Sequence, residues 1–305
     1  MDLRIVFMGT PGFAVPSLNI LLENGYNVVG VITATDKLGG RGKKKVIESE
    51  VKKFAKSKGL NILQPSNLKA HDFVETLRSL NANLQIIVAF RMLPEVVWGM
   101  PVLGTFNLHG SLLPKYRGAA PINWAVINGD QETGVTTFFL KKEIDTGDLI
   151  FQERMPIGPD ETTGEVHDKM MMLGAETVLK TVKVIENDEV QTQKQDDSQA
   201  TKAPKIFHET CEINFDQPSQ IVHNFIRGMS PFPAAWTILD DKKLKITRAK
   251  FHLKEHQLVP GTFVTDNKNY LHIATQDGFI EVELLQLQGR KRMDILAFLN
   301  GYTIE

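Results

Sequence analysis

The chain has 305 residues and a formal net charge of −1 at pH 7, with 42% hydrophobic and 23% charged residues. This composition excludes a disordered, collagen-like or fibrous chain, and the length favours two domains. The single cysteine, Cys211, excludes an internal disulfide and a cysteine-based zinc cluster and indicates a reducing compartment, which we expect to be the cytoplasm. We find no signal-peptide pattern and no apolar run of membrane-spanning length, so we expect no membrane partner.

The first half of the chain alternates short β-branched runs with amphipathic helical patterns, which is typical of βαβ units on a parallel sheet. The predicted strands are residues 4–8, 27–33, 61–64, 84–89, 105–108 and 135–140, and the predicted helices are residues 13–23, 48–58, 72–80 and 119–127. Continuous apolar stretches such as residues 86–89 suit a sheet that is covered on both faces. We therefore predict a doubly wound, mainly parallel α/β sheet with its ligand site at the carboxyl ends of the strands.

The second half changes character after a long helical pattern that runs from Thr162 to near Glu186. The following tract is poor in apolar residues and ends in Pro204, which predicts a solvated linker. A predicted helix follows over residues 217–227, and then come strand-like pieces at residues 236–239, 243–251, 261–265, 270–274 and 280–287. Short strands at this spacing predict a small β-barrel. The predicted division is therefore a first domain over residues 1–190, a linker over 191–206 and a second domain over 207–305.

Two phosphate-binding motifs are missing from the glycine-containing turns. The first βα turn, residues 7–13, lacks the G-x-G-x-x-G spacing, and its Pro11 removes a backbone amide that a phosphate would use. Residues 39–43 have neither the spacing of a P-loop nor a Ser or Thr after the lysine. Nicotinamide chemistry and P-loop nucleotide hydrolysis are therefore disfavoured.

The near-zero net charge conceals separated blocks of opposite sign. Residues 37–58 contain nine lysines and arginines against two glutamates, whereas residues 151–200 carry a net charge of −6. A basic segment of this kind either faces water or neutralises the phosphates of a nucleic acid. The overall charge therefore does not exclude a polyanionic partner.

One pair of polar residues stands where a predicted strand ends. Asn107 and His109 are two positions apart, so their side chains point to the same face of the sheet. An amide donor and an imidazole side by side can stabilise an oxyanion and move a proton. Such pairs are also common turn chemistry, so the residue types alone leave a structural interpretation open.

A carboxylate follows in a glycine-containing turn, Asp145-Thr-Gly-Asp148. A carboxylate can orient an imidazole, fix its tautomer and stabilise its protonated form. A plain Asx turn would have the same sequence, and spacing does not distinguish the two.

Taken together, these motifs resemble the methionyl-tRNA formyltransferase family. The resemblance rests on N-x-H-G-S-L-L-P-x-x-R-G-A-A-P-x-x-W from Asn107, on D-T-G-D from Asp145, on the opening F-M-G-T-P-x-F-A and on the loop G-R-G-K-K. It continues through residues 226–236 and 285–293, so it covers essentially the whole chain. The N-x-H and D-x-G-D motifs alone mark the wider group of folate-dependent formyltransferases.

The resemblance implies transfer of a formyl group from 10-formyltetrahydrofolate, as co-substrate, to the α-amino group of methionine on initiator tRNA. It implies Asn107, His109 and Asp145 as catalytic residues, with no tightly bound cofactor. We expect no metal, because the sequence contains no H-E-x-x-H motif or comparable ligand cluster. It also implies folate contacts from Ser111, Leu112, Leu113 and Pro114 and from the loop that holds Phe90 and Leu93. At Phe90-Arg91 the sequence departs from the Tyr-Gly that is usual there, and Leu140 stands where Met is frequent.

For the basic segment, the resemblance implies a tRNA-binding loop with contacts from Arg41, Lys43, Lys44 and Lys45. The second domain would then be an OB-like barrel that helps to hold the tRNA, and we expect the protein to be a monomer. An alternative is a folate-dependent formyltransferase that acts on a sugar-nucleotide amine. A glycinamide ribonucleotide transferase would need only the first domain, and a non-catalytic RNA-binding module would not need Asn107, His109 and Asp145.

Overall fold

The structure is a computed structural model that describes residues 2–39, 42 and 45–304. The chain forms two compact units, each assembled from several segments. The first unit contains residues 1–117, 134–155 and 168–202, and the second contains residues 118–133, 156–167 and 203–305. The domain boundaries predicted from the sequence stay a prediction.

The strands and helices of the described residues are numbered in chain order. The strands are β1 Arg4–Gly9, β2 Asn27–Ile32, β3 Lys37–Gly39, β4 Lys45–Ile47, β5 Ile62–Leu63, β6 Leu84–Val88, β7 Thr105–His109, β8 Arg117–Gly118, β9 Glu132–Phe139, β10 Leu149–Pro156, β11 Lys202–Ala203, β12 Ala235–Leu239, β13 Lys242–Leu253, β14 Phe263–Thr265, β15 Leu271–Ala274, β16 Gly278–Leu287 and β17 Met293–Asp294. The helices are α1 Val15–Glu23, α2 Glu50–Ser57, α3 His71–Ser79, α4 Glu95–Trp98, α5 Pro121–Ile127, α6 Thr163–Glu186, α7 Ser219–Gly228 and α8 Ile295–Leu299. In this described part, no helix is both long and apolar enough to cross a membrane.

The main sheet of the first unit has, among the described residues, the strand order β10-β9-β7-β6-β1-β2-β5. Strands β5, β2, β1, β6 and β7 pair in parallel, and β9 runs antiparallel to β7. The prediction of a mainly parallel sheet is confirmed. An antiparallel strand on an otherwise parallel sheet is common in folds of this class.

Both faces of this sheet are buried, as the continuous apolar strands predicted. Val6, Met8 and Ile87 lie in one apolar cluster with side chains of α3 and α4, while Phe7 of β1 points to the opposite face and is fully buried. The end of β1 needs a glycine, because a Cβ at Gly9 would lie 2.7 Å from the Ala14 Cβ and 3.1 Å from the Val88 carbonyl oxygen. The central strands are therefore packed against apolar side chains on both faces of the sheet.

The basic segment of the first unit contains a short β-hairpin rather than only a bend. Strands β3 and β4 pair antiparallel, with Lys37 opposite Ile47 and Gly39 opposite Lys45. Leu38, Val46 and Ile47 are each at least half exposed. Their apolar side chains therefore give the hairpin an uncovered surface beside its lysines.

The second unit contains a curled antiparallel sheet in the order β12-β13-β16-β15-β14, and β17 also pairs with β16. Two register shifts near Arg248 bend β13, as β-bulges do. Helix α7 packs its apolar face, including Val222 and Ile226, against the buried side of the sheet. The predicted fold class, with a small antiparallel β-domain after the α/β sheet, is confirmed.

Candidate active site

The carboxyl ends of three central strands meet at one edge of the main sheet. Strands β1, β6 and β7 are parallel neighbours, so the turns after Gly9, Val88 and His109 leave the sheet on the same side. In an open α/β sheet this edge is where ligands bind. The predicted site residues Phe90, Leu93 and Asn107 to Pro114 all lie in or after these strands.

Asn107 and His109 point to the same face of the sheet. Leu108, between them, faces α6, since its Cδ2 would lie 2.7 Å from a Cβ placed at Gly174. Asn107 pairs with Ile87 in the parallel register, so the two side chains point to the same face of the sheet. Ile87 belongs to the apolar cluster on the face away from α6. Both polar side chains therefore face the cluster to which Leu93 belongs. The structure therefore confirms the prediction that the two side chains point to the same face, while their catalytic role stays a prediction.

The His109 imidazole is buried, with 6% of the residue exposed, and its Nε2 lies 2.8 Å from the Tyr116 carbonyl oxygen. A carbonyl oxygen only accepts hydrogen bonds, so Nε2 must carry the proton and donate it. In the neutral ring this leaves the lone pair on Nδ1. The carbonyl of Tyr116 thus fixes the tautomer, a role that the sequence interpretation gave to Asp145.

Asp145 lies opposite the other ring nitrogen. Its Oδ2 is 3.9 Å from the His109 Nδ1, which is beyond direct hydrogen-bond distance. Asp145 has a φ of 56°, in the left-handed region that aspartate tolerates better than most residues. Two positions later Gly147 is required, because a Cβ there would lie 1.6 Å from the Phe139 carbonyl oxygen. The structure thus brings Asp145 close to His109 in a tightly constrained turn.

The predicted folate segment, Ser111 to Pro114, is hydrogen-bonded through its backbone to the side chain of Thr136. The Thr136 hydroxyl donates to the Ser111 carbonyl oxygen at 2.6 Å and accepts from the Leu113 amide at 3.1 Å. The Ser111 hydroxyl donates to the Lys115 carbonyl oxygen, and Leu113 packs in a small apolar cluster. Leu112 and Pro114 are half-buried. The segment has a fixed backbone, and its contacts to folate stay a prediction.

Phe90 and Leu93 lie on the loop after β6. Leu93 is buried in the apolar cluster and Phe90 packs against it. Leu140 packs against the same cluster and against the one that contains Leu113, so it joins the two predicted folate segments. Arg91 donates from Nη1 to the Ser66 carbonyl oxygen at 3.0 Å and from Nη2 to that of Pro65. The residue that departs from the usual Gly therefore ties this loop to the one after β5.

Three of the four predicted tRNA contacts, Arg41, Lys43 and Lys44, lie outside the described residues. Lys45 is described and is an exposed residue of β4. The base of the hairpin is held by Lys52 on α2, whose Nζ lies 2.5 Å from Asp36 Oδ2 and 3.2 Å from Glu48 Oε1. Because Gln64 and Lys52 both donate to it, the pKa of the Asp36 carboxyl lies below its ordinary value. Lys52 thus joins the chain before β3 to the chain after β4.

The second unit has a basic groove of its own. An open cavity of about 390 Å³ is lined by His208, Lys243, Lys245 and residues 286–289. The Lys243 Nζ lies 3.5 Å from the centre of the Trp236 ring, a cation–π contact. By contrast, Arg248 and Lys250 are paired with Glu165 and Glu283. Lys243 and Lys245 are therefore the better placed of these basic residues to meet a phosphate.

Among the described residues, one group of three could hold a metal ion, and it lies in the second unit. His252, His272 and Glu281 offer ligand atoms within 4.8 Å of one another. Burial, together with His252, lowers the pKa of His272, which favours the neutral ring. The prediction of a metal-independent enzyme stays a prediction.

Three residues that the sequence interpretation did not select support the site. Tyr116 supplies the carbonyl that holds His109, while Arg117 and Gln195 connect to the Asp145 turn. Tyr116 and Arg117 stand inside the N-x-H-G-S-L-L-P-x-x-R-G run, which was the available signal. Gln195 stands in the polar tract that we interpreted as a solvated linker, and nothing in its sequence context marks it.

Comparison with known proteins decides the family. A model of the family described as formyl transferase matches residues 3–182, and one described as its C-terminal domain matches residues 205–303. A methionyl-tRNA formyltransferase from Parabacteroides distasonis is 54% identical over 99% of this chain and 96% of its own length. This chain belongs to the methionyl-tRNA formyltransferase family. It is therefore a formyl-transferring enzyme, as the sequence motifs predicted.

Two solved structures show the extent of the shared fold. A methionyl-tRNA formyltransferase from Clostridium thermocellum has a TM-score of 0.57 at 16% identity and covers 90% of this chain and 99% of its own. An N-formyltransferase from Helicobacter canadensis, solved with folinic acid and dTDP-3-aminofucose, has a TM-score of 0.69 at 21% identity and covers 92% and 98%. At these identities the likeness concerns the fold alone. The sugar-nucleotide alternative therefore has only distant structural relatives in its favour.

Proposed function

We propose that the enzyme transfers the formyl group of 10-formyltetrahydrofolate to the α-amino group of methionyl initiator tRNA, with Asn107, His109 and Asp145 as its catalytic residues. The acceptor follows from the family, and the donor is supported by the Helicobacter canadensis enzyme of the same fold, which was solved with folinic acid. The observation that carries the proposal is that Asn107 and His109 share one face at the sheet edge, with Asp145 3.9 Å from His109.

The reaction forms one bond and breaks another at the formyl carbon. The neutral amine attacks this carbon, and negative charge collects on the formyl oxygen in a tetrahedral intermediate. The intermediate then breaks its bond to N10 of the folate, which takes a proton, while the amine loses one. The enzyme therefore needs a donor aimed at the oxyanion and a group that moves a proton from one nitrogen to the other.

The site residues divide these tasks. The Asn107 amide stands on the same face as the imidazole and donates to the oxyanion. Because the Tyr116 carbonyl holds the Nε2 proton, Nδ1 is the nitrogen that receives the amine proton. Asp145, next to Nδ1, stabilises the imidazolium that results. His109 then returns the proton to N10 as the intermediate collapses.

The other predicted contacts complete the proposal. Residues Ser111 to Pro114 and the side chains of Phe90 and Leu93 would bind the folate, and their rigid backbone and apolar packing favour this role. The hairpin with Lys45 and the groove with Lys243 would bind the tRNA backbone. We further propose that the enzyme is a cytoplasmic monomer that needs no metal.

An acceptor comparison tests the proposed reaction. The enzyme is given 10-formyltetrahydrofolate together with methionyl-tRNA, free methionine or an aminated nucleotide sugar, and the formylated products are quantified. We expect formylation of methionyl-tRNA only, because the other acceptors lack the tRNA phosphates. Formylation of the amino sugar at a comparable kcat/KM would overturn the proposed acceptor.

The ion pairs at the base of the hairpin give a prediction about tRNA binding. Lys52→Met removes the cation between Asp36 and Glu48, and with it the ion pairs that join the residues before β3 to those after β4. We expect KM for methionyl-tRNA to rise roughly threefold to tenfold while KM for the folate donor stays unchanged. Steady-state kinetics at low salt measures both constants.

The same helix supplies a matched control. Lys53 pairs only with Glu50 among the ion pairs described, and both residues lie within α2. Lys53→Met should leave both KM values at the wild-type level. If Lys52→Met and Lys53→Met behave alike, the ion pairs of Lys52 do not order a tRNA-binding hairpin.

A further inference from the structure

The tract between Gln191 and Ala200 contains a side chain that reaches into the Asp145 turn. The Gln195 amide nitrogen donates to the Asp145 carbonyl oxygen at 2.9 Å and to the Gly147 carbonyl oxygen at 2.8 Å. One amide group thus spans both ends of the three-residue segment that presents the Asp145 carboxylate. Gln195 is half-buried, whereas its immediate neighbours are exposed.

The other end of the same amide is also fully engaged. Arg117 donates to the Gln195 oxygen from Nε at 3.1 Å and from Nη2 at 2.7 Å. Arginine only donates and carbonyl oxygens only accept, so only one orientation of the amide satisfies all four hydrogen bonds. Arg117 is itself held by Asp197 at 2.6 Å. The position of Gln195 is therefore fixed from both sides.

The backbone places this side chain beside the turn. Gln193 and Leu149 exchange two backbone hydrogen bonds, at 2.9 and 2.8 Å, immediately after the turn. The Arg117 amide donates to the Thr201 carbonyl oxygen at 2.9 Å. The chain before Gln195 is thus bonded to the segment that follows the Asp145 turn, and the chain after Gln195 is bonded to the segment that follows His109.

His109 and the Asp145 turn are held, directly or through Gln195, by two consecutive residues of the chain. The Tyr116 carbonyl holds the His109 ring, and the Arg117 side chain, one residue later, holds the Gln195 amide that holds the Asp145 turn. The 3.9 Å separation between His109 Nδ1 and Asp145 Oδ2 is therefore set through two connected hydrogen-bonded paths. Such a separation controls how well a base and its carboxylate act together.

We propose that Gln195 is a positioning residue for formyl transfer, which holds Asp145 at its working distance from His109 by bonding both carbonyls of the Asp145 turn. This inference rests on the proposed function, because it assumes that Asp145 acts on His109. The Gln195 amide is bonded on both sides to groups of the protein itself, so its loss should lower kcat and leave both KM values unchanged.

Gln195→Glu tests the proposal with almost no change of shape. The carboxylate still accepts from Arg117, but it cannot donate to the Asp145 and Gly147 carbonyls and repels their oxygens. We expect kcat to fall on the order of 10²-fold, the cost of a misplacement of about 1 Å. Gln195→Met, which is uncharged and also lacks the donor, should show the same loss and thereby excludes an effect of the added charge.

A double variant separates a positioning role from a merely structural one. If Gln195 acts through Asp145, adding Gln195→Glu to Asp145→Asn should lower kcat by less than about threefold further. Gln191→Glu, the same change at an exposed position of the tract, should retain wild-type kcat. Unchanged thermal unfolding midpoints and methionyl-tRNA Kd values confirm that the variants are folded.

Each result has a distinct meaning. Wild-type kcat in Asp145→Asn would overturn the proposed catalytic role of Asp145 and, with it, this inference, but not the proposed formyl transfer itself. A slow Asp145→Asn together with wild-type kcat in both Gln195 variants would overturn the inference alone. Losses that multiply in the double variant would also overturn it, because Gln195 would then act independently of Asp145.

Discussion

Replacement of His109 by alanine should abolish most formyl transfer while methionyl-tRNA still binds. His109→Ala removes the nitrogen that takes the amine proton, so we expect kcat to fall about 10²–10⁴-fold, the usual contribution of a general acid–base. The variant should keep a wild-type Kd for methionyl-tRNA, because the imidazole is buried at the sheet edge and the basic hairpin is unchanged. Rapid-quench kinetics and a tRNA-binding titration measure the two quantities.

Two further variants make this result specific. His109→Gln can still donate a hydrogen bond to the Tyr116 carbonyl but cannot carry a proton between two nitrogens, so it should be almost as slow as His109→Ala. His71→Ala is the matched control, since that histidine lies in the first unit with 86% of its side chain exposed. A His109→Ala variant with near wild-type kcat would remove His109 from the reaction.

Replacement of Asn107 should weaken the stabilisation of the oxyanion. Asn107→Leu removes the donor, and we expect kcat to fall about 10²–10³-fold, or about 3–4 kcal/mol of transition-state stabilisation. Asn107→Asp places a negative charge where the oxyanion forms and should cost at least as much. Single-turnover rates at saturating substrates measure both variants, which should retain the wild-type KM for the folate donor.

The matched control for Asn107 is Asn61→Asp, the same substitution at an exposed position of the first unit. It should leave the single-turnover rate unchanged. If Asn107→Leu and Asn107→Asp both react at the rate of this control, Asn107 does not donate to the oxyanion.

The sequence could predict the parts of the site that depend on short-range rules. The alternation of side chains along a strand places Asn107 and His109 on one face, and the structure confirms it. The continuous apolar run Ile86 to Ala89 predicted a strand buried on both faces, as β6 is. These features follow from the backbone geometry of single elements, so they can be deduced without knowledge of the fold.

Features that depend on distant contacts could not be predicted in this way. The bond of His109 to the Tyr116 carbonyl depends on the path of the loop between them. The bonds of Gln195 join it to the Asp145 turn, about fifty positions away, and to Arg117, 78 positions away. A polar tract with few apolar residues is typical of a linker, and only the folded chain shows that one of its amides is fully bonded.

Strand β10 and the β3–β4 hairpin were missed for a different reason. Strand β10 lies at the edge of the main sheet, and charged residues such as Glu153 and Arg154 interrupt its apolar pattern. Edge strands often carry polar side chains, so they lack the strong pattern of the central strands. The β3–β4 hairpin is short and largely exposed, and its glycines and lysines predicted a loop rather than paired strands.

The most direct test of the proposed active site is one single-turnover measurement on a triple variant, Asn107→Ala/His109→Ala/Asp145→Ala. Enzyme in excess is mixed with methionyl-tRNA and 10-formyltetrahydrofolate, and formylmethionyl-tRNA is followed over time alongside the wild type. We expect a methionyl-tRNA Kd close to the wild-type value and a formylation rate at least about 10³-fold lower, because the oxyanion donor and the proton carrier are both gone. A triple variant that binds methionyl-tRNA normally and forms product within about tenfold of the wild-type rate would contradict the assignment of this site.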